Sequence, residues 1–95
     1  MVFDVSKIGG IGEYKTQVEP TREIYLKDGR TFLVLHRNTL EVRCDPRLSE
    51  NLKEKYESVM ESRYFGKGGI EIVLSGQLNQ NELEDLVRLS YSLTA

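Results

Sequence analysis

The stretch Arg22-Glu23-Ile24-Tyr25-Leu26-Lys27-Asp28-Gly29-Arg30-Thr31-Phe32-Leu33-Val34-Leu35-His36-Arg37-Asn38-Thr39-Leu40-Glu41-Val42-Arg43-Cys44 decides the fold. Two runs rich in β-branched and aromatic residues flank Asp28-Gly29, the dipeptide favoured in a two-residue type I′ hairpin turn. A second tight turn is expected at residues 36–39, because Asn38 tolerates positive φ. Residues 39–44 then form the third strand of a meander.

Two-residue turns set the register, so the faces follow by counting. Lys27 is expected opposite Arg30, Leu26 opposite Thr31, Tyr25 opposite Phe32 and Ile24 opposite Leu33. Across the second turn, Leu35 faces Leu40, Val34 faces Glu41, Leu33 faces Val42 and Phe32 faces Arg43. Directly paired residues share a face. The expected core face is therefore Ile24, Leu26, Leu33, Leu35, Leu40, Val42 and Cys44. The opposite face collects Tyr25, Lys27, Arg30, Phe32, Val34, His36, Thr39, Glu41 and Arg43, a mixed, aromatic and mainly basic surface.

Two helices follow. Asp45-Pro46 reads as an N-cap with proline at the first helical position, where its missing N–H costs nothing. Leu48, Leu52, Tyr56, Val59 and Met60 recur at helical spacing, so this helix is expected to reach about Ser62. Gly66, Gly68 and Gly69 read as a loop, Ile70–Leu74 as a short buried strand that Gly76 ends. Asn79 and Glu82 are placed as a capping box, with Leu78 and Leu83 as its hydrophobic staple. The inward stripe of the last helix is Leu83, Leu86, Val87, Ser90 and Leu93 or Thr94. Ahead of the sheet, residues 1–20 read as a loop-rich segment. Val2–Val5 is a candidate short strand and Ile8–Glu13 a glycine-containing loop or mobile arm.

These elements make a single α+β domain over residues 1–95, with 21–95 as its core. A four- or five-stranded antiparallel sheet, the meander plus one further strand, carries two amphipathic helices on one face. The other face is left open or meets a partner.

Composition narrows the function. At 95 residues the chain is one domain in size, and its longest apolar run, Phe32–Leu35, falls far short of a membrane span of roughly 20 residues. No N-terminal basic and apolar pattern marks a signal peptide. The single cysteine, Cys44, cannot form an internal disulfide, and no metal-finger spacing is present. A cytoplasmic protein without cofactor, metal or membrane contact is expected. Residues 1–48 carry eight basic and seven acidic groups, residues 49–95 five and eight. The sequence pI of 5.4 lies well below the value above about 9 usual for a dedicated nucleic-acid binder. Any such role must come from a local patch.

Residues that carry chemistry elsewhere have plainer readings here. His36 sits beside a turn without a nucleophile constellation, and reads as a solvated turn residue rather than a general base. Cys44 is in phase with Leu40 and Val42 and reads as a small core hydrophobe. Glu50, Glu54, Glu57 and Glu61 alternate with Lys53 and Lys55 as a solvated helix face. Gly66-Lys67-Gly68-Gly69 could nest an anion, but lacks a Walker pattern and reads as a flexible connection. Gly10-x-Gly12 lacks the third glycine of a dinucleotide fingerprint.

Arg43-Cys44-Asp45-Pro46, the helix with Leu52 and Tyr56, Leu74-Ser75-Gly76, and the closing Ser90-Tyr91 with Leu93 resemble the MmcQ/YjbR family. That family has a K-C-D-P-like strand-to-helix junction, a strand ending in L-D-G and a closing S-Y-x-L helix. Lys67 stands where a lysine commonly precedes the fourth strand, and Tyr25–Phe32 is similar to the family's first hairpin. The likeness spans about residues 22–94. The chain departs from the family pattern in a short glycine-containing segment where the family has an N-terminal helix, and in Gly69 or Ile70 near the place of a fourth-strand tryptophan. The resemblance implies a CyaY-like α+β fold and a DNA-binding role.

The expected function is a small non-enzymatic binding module. Tyr25, Lys27, Arg30, Phe32, Arg37 and Arg43 are its candidate contact residues, with aromatic rings to stack on bases and cations to meet phosphates. The alternative is a protein partner, or a second copy of the chain, on the same face.

Overall fold

The computed structural model describes residues 3–95. The central hairpin forms as its turn chemistry dictates. Strand β2 (Arg22–Lys27) and strand β3 (Arg30–His36) are joined by Asp28 and Gly29, at φ 50° and 80°, the two positive values that a type I′ turn requires. Strand β1 (Lys15–Val18) precedes them, and strand β4 (Thr39–Arg43) completes the meander.

The register begins as expected, with Lys27 opposite Arg30 and Leu26 opposite Thr31, and then slips. Tyr25 faces Leu33 and Ile24 faces Val34, so Phe32 is an extra residue, a β-bulge. A one-residue slip exchanges the faces of everything beyond it. Tyr25 therefore joins the core, and Ile24 moves to the opposite side. The bulge lets Phe32 and Leu33, both fully buried, enter one core. Burying each such side chain is worth about 1.5–3 kcal/mol. The β3–β4 register is the expected one, with Leu33, Val34 and Leu35 opposite Val42, Glu41 and Leu40.

Helix α1 (Pro46–Lys55) starts where predicted, its N–H groups at Arg47 and Leu48 donating to the Asp45 carboxylate. It stops seven residues early. Tyr56 is extended at φ −126°, and Val59–Ser62 forms strand β5. The Tyr56–Val59–Met60 spacing suits a helix locally, but long-range pairing with the next strand overrides it. That strand, β6 (Gly66–Val73), begins at Gly66 with φ 61° and includes the residues expected to be a loop. Glycine is required at position 69, because a Cβ there would collide with the Val42 carbonyl oxygen and lie 2.7 Å from the Phe65 Cβ. With Gly66–Gly69 paired in a strand, the anion-nest reading does not apply.

Helix α2 (Gln80–Leu93) opens with the predicted capping box, the Asn79 side chain accepting from the Glu82 N–H at 2.9 Å and Glu82 accepting in return at 3.0 Å. Leu78 and Leu83 are both buried, as a staple requires. Of the two candidates for the end of the stripe, Thr94 is buried and Leu93 exposed.

The sheet has six antiparallel strands in the order β1-β2-β3-β4-β6-β5, two edge strands more than the meander plus one. Both helices pack on one face, α2 over β3 and β4 and α1 over β5 and β6. The N-terminal segment closes the same core rather than waving free. Phe3, Val5 and Ile8 are buried, with Val5–Lys7 in a 3-10 turn rather than a strand. Val2, the start of the strand expected there, lies outside the described residues. Arg88 Nε donates to the Gly9 carbonyl and the Tyr91 hydroxyl to that of Glu13. Among the described residues, no helix is long and apolar enough to cross a membrane.

Ser90 locks α2 to the bulge. Its hydroxyl donates to the Phe32 carbonyl at 2.5 Å and accepts the Arg43 N–H at 2.8 Å. Replacing Ser90 by alanine strands both main-chain groups in the interior, and is expected to lower unfolding free energy by about 1–3 kcal/mol in urea. Leu93→Ala, at an exposed site on the same helix, should change it by no more than about 0.5 kcal/mol.

Candidate functional site

The bulge dismantles the contact face expected from the two-residue turns. Tyr25 is 7% exposed and Phe32 0%, so neither ring is available to stack on a base. They belong to an aromatic cluster on the helix side: Tyr14–Tyr25 centroids lie 5.7 Å apart, Tyr14–Phe32 6.0 Å and Phe32–Tyr91 5.0 Å. Burial, aided by the neighbouring Glu23 carboxylate, pushes the Tyr25 phenol well above its usual range. Lys27 caps the end of α2, donating to the carbonyls of Tyr91 at 3.0 Å and Thr94 at 2.9 Å. Arg43 donates to the Thr31 carbonyl and stacks 5.1 Å from the Phe65 ring centroid. Arg30 and Arg37 are exposed, but they lie at opposite ends of β3, Arg30 as its first residue and Arg37 just beyond its last. The six residues do not form one surface.

The other sheet face is polar and largely covered. Ile24, Val34, Glu41, Glu71 and Met60 are consecutive partners across β2, β3, β4, β6 and β5. Residues 63–65, between β5 and β6, fold back over this face. The Tyr64 hydroxyl reaches Thr31 at 2.9 Å, and the Arg22 guanidinium lies 5.7 Å from the Tyr64 ring centroid. Beneath them Glu41, 1% exposed, accepts from the Ser62 hydroxyl, the Tyr64 N–H and His36 Nε2 at 2.7, 2.8 and 2.6 Å. Glu71, 3% exposed, accepts a bidentate pair from Arg63 and a hydroxyl from Thr39. His36 is thus a bonded member of a buried network rather than a solvated turn residue. Its in-phase position with Val34 and opposite Thr39 was the available signal, but Glu71 and Ser62 are brought in only by tertiary pairing.

Ligand atoms of His36, Glu41 and Glu71 all lie within 4.8 Å of one another, a donor set of the kind that can hold a divalent metal. Each carboxylate oxygen already has a protein donor, and no buried side-chain polar atom among the described residues is unpartnered. The arrangement explains itself as the anchor that holds residues 63–65 over the sheet. Desolvation raises the Glu41 carboxyl, but its three donors outweigh that and hold it below the usual 4.5. Desolvation likewise opposes Arg63 and Thr39 at Glu71, and the donors again win. Burial and the nearby Asp45 carboxylate raise the Cys44 thiol, consistent with its reading as a core hydrophobe.

The two sheet edges differ. β5 carries a bulge between Glu61 and Ser62 and bears the exposed charge of Glu61, features that discourage pairing with another strand. β1 runs in unbroken register against β2, with all four residues exposed and Val18 73% so. The Glu19 N–H donates to the Arg22 carbonyl across the turn. Antiparallel pairs alternate between bonded and non-bonded, so Gln17 and Lys15 bond to β2 while Thr16 and Val18 turn their N–H and C=O groups outward. A recess of about 640 Å³ opens beside the start of β1, between Gly12, Tyr14, Lys15, Leu26 and Asp28. A shallower one lies beside its end, at Val18–Glu23.

Comparison of the chain with protein families, curated proteins and solved structures finds no match.

Replacing Glu41 by glutamine removes the charge from its three donors, and is expected to cost about 2–4 kcal/mol of stability near pH 7. Arg63→Ala strips the buried Glu71 carboxylate of its bidentate partner and leaves it the Thr39 hydroxyl, so the melting temperature should fall measurably below that of the wild type. Because Glu41 and Glu71 are lowered in the folded protein, their contribution is complete above the unfolded carboxylate value and is lost as pH falls through the folded values. Denaturation curves from pH 7 to 3 should fall away below about 4.5 in the wild type, and less steeply in Glu41→Gln.

Proposed function

We propose that this chain is a non-catalytic protein-interaction module that lengthens its sheet at β1, receiving a partner strand along Lys15–Val18. One observation carries the reading: Thr16 and Val18 present unpaired main-chain groups on an unbulged, fully exposed edge. Strand addition draws its affinity from such groups and its selectivity from pockets beside them. The recess at Gly12–Lys15 is placed to supply the second. A non-catalytic role is supported by the state of the buried titratable groups, since His36, Glu41 and Glu71 spend their hydrogen bonds on one another's surroundings. The protein-partner reading is favoured over DNA or RNA because Tyr25 and Phe32 are enclosed, and the exposed Arg30 and Arg37 lie apart.

The test pans a random library of extended heptapeptides against the wild type and against Val18→Pro. Proline at 18 removes an outward N–H and leaves the Gln17 bonds to β2 in place. Peptides that shift the Thr16 and Val18 amides in NMR spectra, and bind Val18→Pro at least about tenfold more weakly, are expected. Peptides that bind the proline variant equally well would overturn the reading. So would short DNA that binds the wild type with salt-sensitive shifts at Arg30, Arg37 and Arg43 while no peptide binds.

A further inference from the structure

We infer that the strand received at β1 is the β1 of a second copy, running antiparallel about a two-fold axis through Gln17; this rests on the reading of β1 as a receiving edge. Self-pairing must bring outward-facing residues together, which restricts the register to pairs among Tyr14, Thr16, Val18 and Pro20. Centred on Thr16, the pairing sets Glu13 against Glu19 of the second copy, two like-charge repulsions. Centred on Val18, it sets Thr16 against Pro20, which has no N–H to give. Centred on Gln17, it sets Thr16 against Val18 in both directions, each with a free N–H and C=O. That same register places Lys15 opposite Glu19 of the second copy twice, on one face of the sheet.

The side chains agree with this register. Lys15 is exposed and takes part in no ion pair among the described residues. Glu19 holds Arg22 and Gln17, yet remains 31% exposed. On the helix side of the sheet, each Val18 meets Thr16 directly and Val18 of the second copy diagonally, covering the most exposed large apolar side chain among the described residues. The recess at Gly12–Lys15 of one copy then faces the Val18–Glu19 end of the other. The outcome is one continuous sheet running through both copies, joined by a short, reversible contact.

Sedimentation equilibrium from about 10 μM to about 1 mM reads the association. The wild type is expected to dimerise over this range. Lys15→Glu alone and Glu19→Lys alone each turn both cross-copy pairs repulsive, and should weaken dimerisation on the order of tenfold. An equimolar mixture of the two variants re-creates both attractive pairs in the heterodimer and should restore it. Circular dichroism confirms that each variant is folded. Gln17→Cys places two thiols across the axis at a non-hydrogen-bonded pair, with Cα atoms about 4.5 Å apart, inside the range a disulfide spans. It should form a covalent dimer under mild oxidation, while the wild type, with only the buried Cys44, does not. A wild type that stays monomeric throughout overturns the inference, and leaves the strand-receiving reading standing if Val18→Pro abolishes peptide binding. Dimerisation that survives both charge variants, or a Gln17→Cys protein that dimerises without cross-linking, overturns the register. Failure of the peptides as well removes both.

Discussion

The structure depends on the bulge at Phe32 and on the Ser90 hydroxyl that holds it. An extra residue in β3 frees main-chain carbonyls inside the protein, and a buried unpaired carbonyl costs as much as a lost hydrogen bond. Ser90 donates to the Phe32 carbonyl while Arg43 Nε takes that of Thr31. With both satisfied, Phe32 and Leu33 enter one core side by side, and Tyr25 turns to meet them. Helix α2 is thereby fastened to the middle of the sheet by a polar contact within an apolar interface. Lys27 fastens the same C-terminal end through the Tyr91 and Thr94 carbonyls.

That single slip also decides what the rest of the molecule can present. The aromatic and basic residues of the first hairpin divide between the core, the helix cap and the two ends of β3. The opposite face receives Ile24 beside the Val34 expected there, and is roofed by residues 63–65. Its two glutamates are tolerable in the interior because each is surrounded by donors, and the Glu41 oxygens double as anchors for the roof through Ser62 and Tyr64. Removing a charge from such a network leaves the others uncompensated, so the cluster is costly to break although it is not a large source of stability. Both faces are then occupied, and the remaining open main-chain groups on an unprotected strand are at the β1 edge.

The edge asymmetry has the same origin. β5 is bulged and carries Glu61, and β1 is straight with Lys15 as its one charged residue. Natural sheets blunt edges that must not pair. A single lysine on β1 blunts it only toward strangers, since Glu19 two positions beyond Gln17 can answer Lys15 on another copy. Complementarity of that kind selects a register more than it adds affinity.

Legibility in the sequence follows how local each determinant is. Asp28-Gly29, Asp45-Pro46 and the Asn79–Glu82 box act over three or four residues, and each turn or cap stands where those residues place it. The α+β class, the helix-covered face and the inward stripe of α2 follow from periodicity on the same short scale. The faces of β2 do not, because a bulge two residues beyond the turn is chosen by the packing of Phe32 against α2. Tyr56, Val59 and Met60 fit a helix as well as a strand until Gly66 turns the chain and β6 supplies a ladder. The pairing of His36 with Glu41, and its meeting with Glu71, needs three strands in register at once. The sequence by itself determined where the chain turns, caps and buries its apolar periodicity. Only the tertiary structure decided which faces and which edge are left for a partner, because register and bulge placement are settled by contacts between residues far apart in the chain.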